Sequence, residues 1–230
     1  NISGNTVHDS FLGITMGEVA GFSGIAVYEN IVEDNEAYNC GSGIVLAIEG
    51  TGSVLGNVVM RNTVYNMTPI DTAPGSGLSL SNMGTGNVSG NTLNDNTAYN
   101  CVTGVRIWNS GAGVLQDSWI CGNSIYNNSE GIDISSAQFV SIYGNDIRDN
   151  YGGATGILIL NSDDIDVKCN NIAGNNACGI ESSGNTNVDA NDNWWGDAGG
   201  PGSNGSNDIC GMTIDTWLSE EYIINAAAAP

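Results

Sequence analysis

Apolar and polar residues alternate along this chain in short bursts, and the bursts recur. The pattern N-x-[VIL]-x-x-N occurs six times: NIVEDN from Asn30, NVVMRN from Asn57, NTLNDN from Asn91, NSIYNN from Asn123, NDIRDN from Asn145 and NNIAGN from Asn170. Relaxed copies flank the series, NTVHDS from Asn5 and DNWWGD from Asp192, and the first residues are spaced by 25, 27, 34, 32, 22, 25 and 22 positions. Each interval holds a second anchor, a Gly followed by alternating apolar residues: GITM from Gly13, GIVL from Gly43, GLSL from Gly77, GVRI from Gly104, GIDI from Gly131, GILI from Gly156 and the weaker GIES from Gly179. A third alternating segment precedes each hexapeptide, as in Val140 with Ile142 or Ile165 with Val167. Period-two alternation broken by turn residues predicts three short strands per unit.

Such a unit cannot bury its own apolar face. Stacked in register, successive units place every Val, Ile and Leu in one shared interior. The expected architecture is all-β, a right-handed three-faced parallel β-helix (solenoid) of about seven to eight coils with a C-terminal cap. At ~4.8 Å per coil it makes a rod on the order of 34 Å long. The anchor amides then stack. Asn5, Asn30, Asn35, Asn57, Asn62, Asn91, Asn96, Asn123, Asn128, Asn145, Asn150, Asn170 and Asn175 are expected to form a hydrogen-bonded ladder, because an amide both donates and accepts and Asn tolerates the left-handed backbone of a sharp turn.

Composition supports this picture and narrows the partners. The 230 residues include 33 Gly and 32 Asn, yet 40% are hydrophobic, too many for a disordered chain. Four Lys and Arg face 25 Asp and Glu, for a net charge of −21. Arg61, Arg106, Arg148 and Lys168 are too few and too scattered for nucleic acid or an anionic membrane surface. No apolar run is long enough for membrane insertion.

The repeats, followed by NDNWWGDAGGPG at 191–202 and MTIDTWL at 212–218, resemble the pectate-lyase-like parallel β-helix repeat proteins, the NosD-like group with PbH1-type repeats. The likeness covers nearly the whole chain. It implies a secreted or surface-attached protein of the kind abundant on methanogenic archaea, and no particular activity, since that family mixes enzymes, binding modules and structural proteins.

Two regions are expected: β-helix repeats over 1–198, and a Gly/Pro linker with a cap or tail over 199–230. Trp194, Trp195 and Trp217 are expected to plug the last coil. The first residues, NISGN, already lie inside a strand segment, so either more polypeptide precedes Asn1 or a second subunit docks there. The AAAAP ending carries no pattern. Inserts at 36–42, 63–76 and 97–103 fall on one edge and share the pieces AYNC, VYNM and AYNC, predicting an interaction lobe that stacks Tyr38, Tyr65 and Tyr99.

An even count of six cysteines, Cys40, Cys101, Cys121, Cys169, Cys178 and Cys210, without metal-type spacing, favours disulfides in an exported chain. Cys178 with Cys210, or Cys169 with Cys178, is within reach; Cys40 and Cys101 lie two coils apart. Five N-x-[ST] sequons occur, at Asn1, Asn66, Asn87, Asn127 and Asn204, and the last four are the candidate glycosylation sites.

Chemistry is sparse, and no catalytic constellation or metal site is assigned. His8 is the single His, so a nucleophilic triad has no base. Polyanionic saccharides are repelled by so acidic a surface. A hydrolase of neutral glycans would need two carboxylates flanking a sugar beside aromatic rings; Asp133, near Arg106 and Trp108, is the place to look, with Asp163, Asp164 and Asp166 in the next unit. The plainer reading is that Arg106 and Asp133 form a stacked surface pair. Asp9, Asp34, Asp95 and Asp149, interrupted by Arg61, predict an acidic stripe, hydrated or holding Ca²⁺. The leading expectation is an extracellular structural protein that assembles with itself into a surface layer, sheath or filament. Its alternative is a carbohydrate-binding or glycan-hydrolysing β-helix domain.

Overall fold

The computed structural model describes residues 1–18, 24–152, 155–204 and 207–224, and among these are 26 strands and no helix. Three parallel sheets wind into a right-handed β-helix of about seven turns. The first sheet has eleven strands. The second has seven and includes Thr6–His8, Glu36–Tyr38, Thr63–Tyr65, Thr97–Tyr99 and Ser124–Tyr126. The third has eight, among them Ile14–Glu18, Ile44–Ile48, Ser76–Asn82, Thr103–Asn109, Glu130–Ser135 and Ile157–Leu160. Register is exact in type: Ile14, Ile44, Leu78, Val105, Ile132, Ile157 and Ile180 stack as one buried column. Ala37, Val64, Ala98, Ile125, Ile147 and Ile172 stack as another. The AAAAP end lies outside the described residues.

The glycine anchors have a steric cause. A Cβ on Gly43 would lie 2.4 Å from the Gly77 carbonyl oxygen, one on Gly77 2.7 Å from that of Gly104, and one on Gly131 2.3 Å from that of Gly156. Adjacent coils touch backbone to backbone here, and no side chain fits.

The amides form three columns. The longest runs Asn5, Asn35, Asn62, Asn96, Asn123, Asn145, Asn170 and Asn193, each Nδ2 donating to the next Oδ1 at 2.9–3.0 Å. A second joins Asn30, Asn57 and Asn91. The third joins Asn128, Asn150, Asn175 and Asn207. The hexapeptide alignment is therefore corrected. NTVHDS, NSIYNN, NDIRDN and NNIAGN lie one strand later than NIVEDN, NVVMRN and NTLNDN, because Asn96 stacks on Asn123 and Asn5 on Asn35. The underlying unit is five residues, Asn-x-apolar-x followed by a residue of positive φ such as Asp34, Arg61, Asp95 or Gly174, and either Asn of a hexapeptide begins one.

Early coils carry four strands, not three. The turn through Ala26–Tyr28, Ile31–Glu33, Glu36–Tyr38 and Ile44–Ile48 shows this. After the Asn30, Asn57, Asn91 column ends, its place is taken by Ser118, Val140 and Ile165, and the two strands fuse into Val114–Cys121, Gln138–Tyr143 and Asp163–Lys168. Without an amide to bond the corner, the corner flattens to a bulge. The expected inserts shrink accordingly: Glu36–Tyr38, Thr63–Tyr65 and Thr97–Tyr99 are ordinary strands of the second sheet, and the longest excursion is residues 66–75.

At the C-terminal end Trp195 is 0% exposed and closes the core, whereas Trp194 is half-buried and Trp217 is 43% exposed. Trp217 lies against Gly200 and donates Nε1–H to the Ala198 carbonyl at 3.2 Å, so it covers the linker instead of plugging the coil. A Cys178–Cys210 disulfide ties the last strand to the seventh coil. Cys40, Cys101, Cys121 and Cys169 are free, correcting their expected pairing. Cys40 and Cys101 sit five residues beyond Asn35 and Asn96, at the corner where later coils place Asn128 and Asn150, and the Cys101 N–H still donates to Asn128 Oδ1 at 3.0 Å. They are buried corner residues in place of amides.

Candidate functional site

The outward side of the third sheet forms the floor of a groove of about 520 Å³. Its floor is made of short side chains because alternate residues point outward: Thr15, Val45 and Ser79 in one row, Gly17, Ala47 and Ser81 in the next. Phe11 and Leu12 rise on the wall with Thr72, Ala73 and Pro74 of the longest excursion. Across the fourth coil those rows continue as Arg106 and Trp108, which close one end. Four coils at ~4.8 Å per step give a length of about 14 Å.

At that end the charged and aromatic groups interlock. The Arg106 guanidinium carbon lies 4.5 Å from the Trp108 ring centre. Arg106 Nε is 3.4 Å from Asp133 Oδ2, one coil on in the same row, and Ser135 Oγ donates to Asp133 Oδ1 at 2.7 Å. Burial pushes the Glu130 carboxyl up to about 7; the Asp133 carboxylate adds to the rise, Arg106 opposes it and Glu181 adds a little. The opposite end is acidic, with Glu18 and Glu49. Glu18 Oε2 accepts the Gly52 N–H at 2.5 Å, while its Oε1 is buried without a partner among the described residues. A planar cation over an indole offers a flat face bordered by N–H donors, the combination that holds a sugar ring and its hydroxyls.

The other residues singled out in the sequence lie elsewhere. Asp163, Asp164 and Asp166 belong to the strand Asp163–Lys168 of the first sheet, on a different face from Asp133. Tyr38, Tyr65 and Tyr99 stand on the second sheet, stacked with Tyr126 and His8 at centroid spacings of 4.9–5.2 Å. Stacking occupies their ring faces, leaving edges and hydroxyls outward; the Tyr65 hydroxyl donates to Glu36 at 3.0 Å. The acidic stripe divides. Asp34, Arg61 and Asp95 share one corner, with Arg61 Nε 2.9 Å from Asp34 Oδ1, while Asp9 and Asp149 occupy the other corner with Asn39, Asn66, Asn100 and Asn127. Of the sequons, Asn1 bonds Glu33 at 2.8 Å, Asn66 and Asn127 lie at that second corner, Asn87 begins the strand Asn87–Ser89 with a buried Oδ1, and Asn204 is exposed and bonds Asp197. The floor of small residues and the four-sided coils beneath it escaped the sequence reading; the outward row of Thr, Val and Ser beside each anchoring Gly was the available signal.

Residues 1–154 match the NosD family, described as periplasmic copper-binding protein. No curated protein matches the chain. Among solved structures, the periplasmic alginate epimerase AlgG is similar at 18% identity and a TM-score of 0.59, over 94% of this chain and 49% of its own. XylC in complex with xylose is similar at 19% identity and a TM-score of 0.50, over 70% of this chain and 22% of its own. The chain thus spans about half the length of AlgG or less of these proteins, and at such identities the likeness is one of fold. Copper prefers converging thioether, thiolate or imidazole ligands. Among the described residues no group of three or more His, Cys, Asp or Glu is placed to hold a metal. His8 is stacked on Tyr38 and bonded to Asp9, Met67 is buried, and Met16 and Met60 lie on different sheets. These residues do not fit a copper centre.

Proposed function

The chain belongs to the NosD family, and from that premise we propose that it is a saccharide-binding β-helix module taking neutral glycans along the third-sheet groove. The observation that carries this reading is the Arg106–Trp108 stack closing a small-floored groove of about 520 Å³, within the usual range for ligand sites. The net charge of −21 disfavours polyanions such as alginate. The neutral sugar named with XylC, xylose, supports the class of ligand. The Cys178–Cys210 disulfide supports a compartment outside the cytoplasm. This reading stands ahead of the self-assembling surface element because a built groove, with named residues at each end, speaks for it.

Tryptophan fluorescence during titration with neutral oligosaccharides tests it. A saturable shift that is lost in Trp108→Ala is expected, with alginate oligomers giving none. No response to any neutral glycan, together with ordered polymers of the purified protein in electron micrographs, would overturn the proposal in favour of self-assembly.

A further inference from the structure

A second groove, of about 580 Å³, lies on the outward side of the first sheet. It follows the bulge that replaces the flattened corner. Along that bulge Asp117, Phe139, Asp164 and Asn187 stand in successive coils, all with φ between 51° and 55°. The flanking pairs Gln116 with Gln138 and Gln138 with Asp163 fix their order. Gly, Asp and Asn tolerate this backbone; Phe does not. Phe139 nevertheless occupies it and is 51% exposed. Trp119, 37% exposed, lies on the same wall, and Ser141 provides a low floor.

The charges around that ring are one-sided. Phe139 stands between Asp117 and Asp164, one coil away on either side, about 4.8 Å per step. Among the described residues neither carboxylate has an ion-pair partner: Asp117 accepts from Ser89 and Gln116, and Asp164 from Asn187. The next row shows what such spacing accepts. There the Lys168 ammonium sits between Asp166 and Asp189, at 3.6 and 2.7 Å, on consecutive coils. The chain's own primary amine thus already bridges one pair of stacked carboxylates in the groove, while the neighbouring pair is separated by an aromatic face.

We propose that this groove binds an organic ammonium group, its charge resting on Phe139 between Asp117 and Asp164 and its apolar body against Trp119. A ring face attracts a cation, and the two carboxylates supply the countercharge. The ligand class is a primary amine on an extended body, either a free polyamine or the amino groups of a glycan. The site is separate from the third-sheet groove and does not depend on it.

Isothermal titration with spermidine and with a glucosamine oligosaccharide, using its N-acetylated form as the uncharged control, tests the proposal. Saturable binding of spermidine, weakened by added salt, is expected; binding of the amino-oligosaccharide as well assigns an amino-glycan, and its absence assigns a free polyamine. Phe139→Asn restores the residue type that suits the bulge, so the melting temperature should hold or rise while affinity falls about tenfold. Asp164→Asn keeps shape and backbone tolerance and reads the charge alone, with a similar loss expected. Affinity unchanged in both variants, equal binding of the N-acetylated control, or no binding of either amine overturns the proposal.

Discussion

Arg106 lies over Trp108, its guanidinium carbon 4.5 Å from the ring centre, and the same side chain reaches Asp133 on the following coil at 3.4 Å. One cation thus serves two coils. Its removal would leave a nearly buried carboxylate with a single hydroxyl donor, Ser135. Arg106→Ala is expected to cost about 2 kcal/mol. Adding Asp133→Asn to the same chain should recover part of that loss, and denaturant unfolding across the four-protein cycle measures the coupling.

Glu130 gives stability a pH dependence of definite sign. Its carboxyl is raised from an ordinary 4.5 to about 7, chiefly by burial. Between those values the unfolded chain releases the proton and the folded chain keeps it, so stability falls as pH rises from about 4.5 to about 7 and then levels. Glu130→Gln should flatten this part of the profile and stabilise the protein at pH 8 by roughly 1–2 kcal/mol, after allowance for partial solvent screening. Thermal melts at pH 5 and pH 8 provide the comparison.

Asn62 holds the middle of the longest amide column. Its Oδ1 accepts from the Asn35 N–H and Nδ2, and its Nδ2 faces Val32 O, Met60 O and Asn96 Oδ1. Asn62→Ala strands several buried groups at once and should cost about 3 kcal/mol or more. Asn62→Asp can accept but not donate, and is expected to be no better. Asn39→Gly, in the exposed outer row where φ is 53°, should cost under about 1 kcal/mol, which urea unfolding would distinguish.

Much of this architecture could be read from residues alone, and the places where reading failed share a cause. Inward Ile and Val at alternate positions, as in Ile132 and Ile134, identify strands without ambiguity, and the Gly before each marks the close approach of coils. Phase is different. NSIYNN looks like NTLNDN, but Asn123 stacks on Asn96 rather than on Asn91 because the chain repeats every five residues as well as every coil. The Arg106, Asp133 and Trp108 neighbourhood was legible because all three sit at fixed offsets from an anchoring Gly. The groove was not, since its wall at Thr72–Pro74 belongs to an irregular excursion with no periodicity to extrapolate. The cysteines were legible in part: Cys178–Cys210 is one of the two pairings within reach, and Cys40 and Cys101, two coils apart, take corner positions that elsewhere hold amides, where a small buried thiol packs well.

Those thiols should be inert. Burial pushes Cys101 up to about 12 and Cys121 up to about 11, the nearby Asp95 carboxylate adding to the latter. A thiol-specific reagent at pH 8 is expected to label half-buried Cys169 in the native protein, and Cys40, Cys101 and Cys121 only after denaturation. Mass spectrometry of the labelled chain reads the sites. Cys178→Ser with Cys210→Ser should lower stability by about 3 kcal/mol, since the bond closes a loop of 32 positions.

The five-residue period of the amide columns has a consequence for how the chain finds its shape. Sliding one turn against its neighbour by a single pentapeptide would still marry amide to amide and aliphatic to aliphatic, so the columns alone tolerate a misthreaded solenoid. What forbids the slip is the glycine contact: displaced by five, a side chain would meet a carbonyl oxygen at less than 3 Å, as it would on Gly43 or Gly131. Glycine therefore serves here as the keyway that admits one threading and jams the others.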